Sequence, residues 1–188
     1  MISRCDWPGT DPDYIAYHDL EWGVPVREDR ALFEYLCLEG QQAGLSWITV
    51  LRKRARYRTC FKNFDIDRVA LLRDDTIEGF LNDRGLVRNR LKLYSIRSNA
   101  LACQAVRAEF GSFSTYIWSF VGGRPVDGKR KSQGDVPSSS SLSEAMSKDL
   151  KRRGFKFVGK TTCYAFMQAA GMINDHTLNC FRYNQVKP

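Results

Sequence analysis

From Asp11 onward the apolar positions recur at three- and four-residue intervals, and few runs alternate long enough to build a sheet, so the pattern predicts a mostly α protein. Asp11 and Pro12 open a first helix, because proline is tolerated where the amide has no intrahelical partner. Its next turns carry Tyr14, Tyr17 and His18 on one face before Trp22 and Gly23 close it. A second helix is expected from Asp29 to Gly40 with Leu32, Phe33 and Leu36 inward. The Gly-containing turn Gln41 to Leu45 follows, and Ser46 then caps a third helix with the stripe Ile48, Leu51, Ala55. A short helix from Asp67 carries Val69, Ala70 and Leu72. Asp75 and Glu78 have capping-box spacing for another through Phe80 and Leu81, which Asp83, Arg84 and Gly85 break. After Val87 a long helix resumes with Leu93, Ile96, Ala100 and Cys103 on one side, so residues 76–106 read as helix, tight hairpin, helix. Ser112 caps a short aromatic helix, and Gly122 to Ser141 reads as a long loop, mobile without a ligand. Ser141 and Glu144 suggest a capping box for a helix ended by Gly154, and a last helix spans Thr161 to Met172.

The 188 residues are enough for one substantial core, so a single unit over 1–188 is expected, with a monomer as the default. A formal charge of +8 favours a polyanionic partner. No stretch is long and apolar enough to span a membrane, and Met1 to Pro12 lacks a secretory apolar region, so a cytoplasmic location is expected. The basic run Arg52, Lys53, Arg54, Arg56, Arg58 reads first as a solvated helix face and second as a nucleic-acid contact. Gly85 with Arg84, Arg88 and Arg90 suits a turn whose backbone can approach a phosphate.

Six cysteines show no repeating spacing, and several sit inside apolar helical patterns, which points to reduced thiols. Cys5 and Cys180 differ, because His18 and His176, the only histidines, lie near them in sequence. Two thiolates and two imidazoles satisfy tetrahedral zinc. His176 and Cys180, four apart, would align on one helical turn, and four protein ligands would make the metal a structural tie between the chain ends. The alternative is a pair of buried thiols beside hydrogen-bonded core histidines.

Tyr14, Tyr17, Trp22 and Trp47 are aromatics near a turn, and Glu39 is a lone carboxylate in the apolar stretch Leu36 to Gly40. Stacking rings facing an ionised carboxylate suit a flipped, electron-poor purine, whereas the plainer reading has the rings in the core and Glu39 paired with an arginine. Gly154 to Thr161, GFKFVGKT, formally matches the phosphate-loop pattern, but a helix precedes it where a strand is needed, and Phe155, Phe157 and Val158 crowd it.

YIAYHDLEWGVP from Tyr14 to Pro25, LEGQQAGLSW from Leu38 to Trp47, KRRGFKFVG from Lys151 to Gly159, and NDH ending at His176 closely resemble the DNA-3-methyladenine glycosylase I family, over Cys5 to about Cys180. The resemblance implies a helix-hairpin-helix glycosylase fold and a structural zinc on Cys5, His18, His176 and Cys180. It also implies a 3-methyladenine pocket of Glu39, Tyr14, Tyr17 and Trp47, acting on alkylated double-stranded DNA. Trp22 is an expected neighbour of the base, and Gly44 with Leu45 is the candidate wedge into the duplex. Two departures stand out: Asp83 to Arg88 offers only Gly85 where the superfamily has Gly-x-Gly, and only Glu109 is acidic in Cys103 to Phe110, where many members carry a catalytic Asp. A damage sensor without catalysis is the competing class.

Overall fold

The computed structural model describes residues 2–187, so Met1 and Pro188, the ends of the expected unit, lie outside the described residues. The order is α1 (Pro12–Leu20), α2 (Asp29–Gln42), α3 (Trp47–Cys60), α4 (Ile66–Ala70), α5 (Asp74–Phe80), α6 (Arg90–Phe110), α7 (Phe113–Ser119), β1 (Val126–Asp127), α8 (Ser141–Arg152), α9 (Lys160–Ala169) and β2 (Ile173–Asn174). No helix among the described residues is long and apolar enough to cross a membrane.

Helix α2 is the axis of the molecule. It packs against α3, α6, α7 and α9, and every residue from Leu32 to Gln41 is buried. A helix covered on all sides must find a partner for each polar side chain it carries. Glu34 takes Arg58 at 2.8 Å, and Gln41 donates to the Lys92 carbonyl and accepts from the Tyr57 hydroxyl. Glu39 takes no partner among the described residues, and the functional site is built around that exception.

Helices α5 and α6 flank the expected hairpin at residues 81–89, and Leu93, Ile96, Ala100 and Cys103 are all fully buried along α6. Asn89 caps α6 through the Lys92 amide. Several caps differ from the sequence pattern. Asp75 sits inside the first turn of α5 and pairs with Arg73, so it caps nothing. The capping box of α8 is Ser140 with Ser143, one residue before the expected Ser141 and Glu144. The Ser46 hydroxyl is paired with that of Thr49; the orphan Ile48 amide of α3 donates instead to the Tyr14 hydroxyl at 3.0 Å. Helix α3 also turns a different face inward. Trp47, Val50, Tyr57 and Cys60 are buried, Ile48 and Leu51 are half-buried, and Ala55 is exposed, since the face with Trp47 and Tyr57 has far more apolar area to remove from water than the one with Ala55.

Residues 122–141, the long loop of the sequence pattern, are fastened to the body at several points. Strand β1 pairs in parallel with β2, matching Val126 to Ile173 and Asp127 to Asn174. The Leu178 amide donates to the Arg130 carbonyl at 2.8 Å, and the Arg130 side chain meets buried Asp175. A side chain at Gly128 would place its Cβ 2.1 Å from Asp175 Oδ1, so this crossing requires glycine. A capping box of Ser132 and Asp135 stiffens the rest of this strap.

Candidate active site and metal cluster

Around Glu39 the elements α1, α2, α3 and α9 and the strap enclose a cavity of about 190 Å³. That exceeds the roughly 150 Å³ that takes up a benzene ring, so one planar base fits. Tyr14, Tyr17, Trp22, Trp47 and Glu39 all line it, as expected. Trp7, Gln42, Gln133, Val136, Ala165 and Gln168 line it as well, and the sequence pattern did not point to them. Trp7 precedes the first helix, Gln133 and Val136 lie on a segment read as loose, and Ala165 and Gln168 reach the cavity only through the packing of α9 on α2. Spacing carries no signal for such convergence.

The rings stand at angles suited to clasping a flat ligand. Tyr17 and Trp47 lie 5.5 Å apart at 44°, and Trp7 meets Tyr14 and Trp22 edge-on at 5.4 and 5.2 Å. The indole N–H groups of Trp7 and Trp47 are buried without an acceptor among the described residues. The Glu39 carboxyl has neither a guanidinium nor a hydrogen-bond donor among the described residues, and burial pushes its pKa up to about 8. With no cation beside it, the buried Glu39 carboxyl is biased toward its neutral form in the ligand-free cavity, whereas the sequence pattern suggested an ionised carboxylate. Burial likewise holds the Tyr17 hydroxyl well above its ordinary range, so it stays a neutral phenol.

A second cavity, of about 210 Å³, shares Glu39 and Gln42 with the first and is lined also by Ala43, Gly44, Leu45 and the start of α9. Gly44, at φ +76°, occupies the left-handed corner of a turn closed by the Leu45 amide on the Gln42 carbonyl. Leu45 stands 40% exposed at its tip. Buried Lys92 reaches across from α6 and donates to the carbonyls of Gln41 and Ala43, anchoring the turn.

Cys5, His18, His176 and Cys180 converge, all buried, with their ligand atoms within 4.8 Å of one another. Cys180 Sγ lies 3.5 Å from His18 Nε2 and 3.6 Å from His176 Nδ1, and Cys5 Sγ lies 3.6 Å from His176 Nδ1. Tetrahedral zinc with ordinary Zn–S and Zn–N bonds has sulfur-to-nitrogen edges of about 3.5 Å, so the donor set fits that ion. The free ring nitrogens are held as well, His18 Nδ1 by Asp19 at 2.7 Å and His176 Nε2 by the Trp22 carbonyl at 3.1 Å. Arg4 in turn grips Asp19. Contact between the thiols lowers the pKa of Cys180 and raises that of Cys5, as expected of a pair sharing one negative charge. His176 and Cys180 do not share a helical turn; they flank a tight turn closed by the Cys180 amide on the Thr177 carbonyl. The remaining four cysteines are free and buried.

The basic residues fall into two groups. Arg52 pairs with Asp11 and Asp13, Arg54 with Glu21, Arg56 with Asp83, and Arg58 with Glu34, while Lys53 donates to the Arg84 carbonyl. Arg52 and Arg56 remain exposed and Arg58 half-buried, so the face is solvated and its arginine charges are paired. In the hairpin, Arg90 pairs with Glu78, and the Gly85 amide donates to Asp83 at 2.7 Å and is not available to a phosphate. Gly85 is needed for packing, since a Cβ there would lie 2.7 Å from Arg56 Cγ. Arg84 and Arg88 are exposed, and their side chains have no ion pair among the described residues. Glu109 is tied to Arg153, and Lys160 to Glu144.

Residues 7–183 match the family model described as methyladenine glycosylase. The chain belongs to that family. It is 49% identical over 187 residues to DNA-3-methyladenine glycosylase 1 of Escherichia coli K12, covering all of both chains. It is 47% identical over 180 residues to DNA-3-methyladenine glycosylase of Haemophilus influenzae, covering 96% of this chain and 97% of the other. Among solved structures, a Tyr-to-Phe variant of a 3-methyladenine DNA glycosylase I in complex with 3-methyladenine superposes with a TM-score of 0.93 at 36% identity, covering 98% and 97% of the two chains. Members of the methyladenine glycosylase family thus share this fold from end to end.

Proposed function

We propose that this chain is a DNA base-excision repair glycosylase that hydrolyses the N-glycosidic bond of 3-methyladenine, releasing the free base and leaving an abasic site. The observation that carries the reading is the aromatic cavity with an unpartnered, buried Glu39 at its wall. An unpaired polar group is costly in such a place unless a ligand completes it.

Methylation at N3 places positive charge on the purine within the nucleotide, so the base departs as a neutral molecule and no general acid is required. The protein's part is to hold the extruded nucleotide, keep bulk water out and favour the developing oxocarbenium sugar. Tyr14, Tyr17, Trp22 and Trp47 supply ring faces and edges for the cation. The cation's charge would also lower the Glu39 pKa and drive its proton off, restoring a carboxylate that accepts from the adenine amino edge. Gly44 and Leu45, on their anchored turn, fill the gap left in the duplex.

Helices α5 and α6 with residues 81–89 are read as a helix-hairpin-helix element, with Arg84 and Arg88 toward the phosphates and Arg90 and Gly85 shaping the turn. Cys5, His18, His176 and Cys180 would hold zinc. With four protein ligands it would supply a structural tie between the chain ends and leave no open position for substrate. The protein is taken to act as a monomer in the cytoplasm on damaged double-stranded DNA.

Methylated duplex DNA incubated with the protein is expected to release free 3-methyladenine, and Glu39→Ala to lose about 10²-fold or more in rate while remaining folded. No release by the unaltered protein, despite binding to methylated DNA, would instead make it a damage sensor.

A further inference from the structure

Asp175 follows β2 with its side chain fully enclosed beneath the strap. Its Oδ1 accepts from Arg130 Nε at 2.8 Å. Its Oδ2 accepts from the Tyr164 hydroxyl at 2.5 Å and from Gln168 Nε2 at 2.9 Å. Base excision as described leaves this network without a task.

Its consequence falls on Gln168, which sits on α9 and lines the base cavity. A carboxylate can only accept, so the Gln168 amide must keep its nitrogen toward Asp175. A flip would set its carbonyl against a buried anion. The other amide atom, the carbonyl oxygen, has no donor among the described residues and is therefore a fixed acceptor. Glu39, which lines the same cavity, is less discriminating. With its pKa near 8, its carboxyl can serve as acceptor or, when protonated, as donor. A ligand carbonyl could be satisfied by Glu39 but not by Gln168.

We propose that Gln168 is a specificity-determining residue, a locked hydrogen-bond acceptor that selects a purine with an amino group at position 6 over one with a carbonyl there, Asp175 and Arg130 being its positioning residues. The two N–H bonds of an exocyclic amino group match the two acceptors, Glu39 and Gln168. A carbonyl in that place turns its lone pairs on an acceptor that cannot rotate away, and mispaired buried groups are what give a site its power of rejection. The inference rests on the reading of the cavity as a 3-methyladenine site.

The test compares free 3-methyladenine with free 3-methylhypoxanthine, which differs by carrying oxygen at position 6, titrated against the intact protein by tryptophan fluorescence. The unaltered protein is expected to prefer 3-methyladenine. Gln168→Met, close in size and without an acceptor, should lose roughly tenfold in affinity for 3-methyladenine while binding 3-methylhypoxanthine as well or better. Asp175→Asn keeps the volume but lets the Gln168 amide turn, and should narrow the preference in the same direction. A merely structural role would weaken both bases equally. An unchanged ratio in Gln168→Met, in a protein that still binds and releases 3-methyladenine, overturns this inference alone. Failure of the unaltered protein to bind either base or to release 3-methyladenine overturns the cavity reading, and this inference with it.

Discussion

Trp22 separates two aromatic-lined clusters that look alike in composition and differ in how completely their polar atoms are satisfied. On one side its ring stacks on His18 and meets His176 edge-on at 4.6 Å, where each imidazole nitrogen and both sulfurs have a neighbour. On the other side it walls a cavity lined by Glu39, Trp7 and Trp47, whose carboxyl and indole N–H groups have none among the described residues. Closed donor sets belong to parts that hold the fold, and open ones to parts that await a ligand. The comparison can be broken at several points.

The largest effect is expected at the closed cluster. Cys180→Ser or Cys5→Ser removes a thiolate and should abolish a cooperative thermal transition near that of the unaltered protein, since a structural zinc contributes on the order of 10 kcal/mol to folding. Elemental analysis should find zinc in the purified protein, and removing it with a chelator should have the same result as the substitutions. If the variants melt within a few degrees of the unaltered protein and no zinc is found, the cluster is a hydrogen-bonded core and the comparison loses one arm.

At the open cavity, Glu39→Gln is expected to do the reverse to stability. A carboxyl whose pKa rises from 4.5 to about 8 on folding stays protonated where the unfolded chain has ionised, so stability falls as the pH climbs through that window. Glu39→Gln removes the dependence. It should match the unaltered protein near pH 4 and exceed it by a growing margin toward pH 8, on the order of a few kcal/mol, while excision falls about 10²-fold. Urea unfolding at a series of pH values reads the first effect and base release the second. A variant less stable at pH 8 would mean that Glu39 has a partner in the folded state.

The contrast also explains what the sequence discloses. Helical periodicity marks α6 because it buries a continuous stripe, and Leu93, Ile96, Ala100 and Cys103 fall where the period places them. The metal ligands and the principal rings of the cavity are legible because their residue types are rare and sit in specific motifs. Trp7, Gln133 and Gln168 are not, because they arrive by tertiary packing of the N-terminal segment, the strap and α9. Cap positions fail for a similar reason: the Tyr14 hydroxyl, 34 residues away, does the work that Ser46 is suited to do locally. Charge state is the least legible property, since the pKa of Glu39 follows from burial on every side of α2.

An intermediate effect is expected at the turn that Lys92 anchors. Leu45→Ala leaves the turn intact, because the left-handed corner is Gly44 and the Lys92 contacts are to backbone carbonyls. It should therefore leave free 3-methyladenine binding unchanged and weaken binding to DNA containing an abasic site, by roughly tenfold for a partly exposed wedge. Equal binding to abasic DNA would remove the wedge from the mechanism, whereas loss of free-base binding would show that the turn also shapes the cavity.

The smallest effects sort the arginines by the same criterion of satisfied against open. Arg54 is half-buried and forms a two-pronged pair with Glu21 at 2.7 and 2.8 Å, so Arg54→Ala should lower the melting temperature and leave the salt dependence of DNA binding alone. Arg88 is exposed in the hairpin without an ion pair among the described residues, so Arg88→Ala should leave melting unchanged. It should weaken binding to all duplex sequences alike and reduce the slope of log affinity against log salt by about 1. An unchanged slope in Arg88→Ala, or a reduced slope in Arg54→Ala, would show that the DNA lies across the α3 face and that its ion pairs open to receive phosphate. Satisfaction of a charged group in the free protein would then be no guide to its role, and the distinction drawn on the two sides of Trp22 would hold only for buried groups.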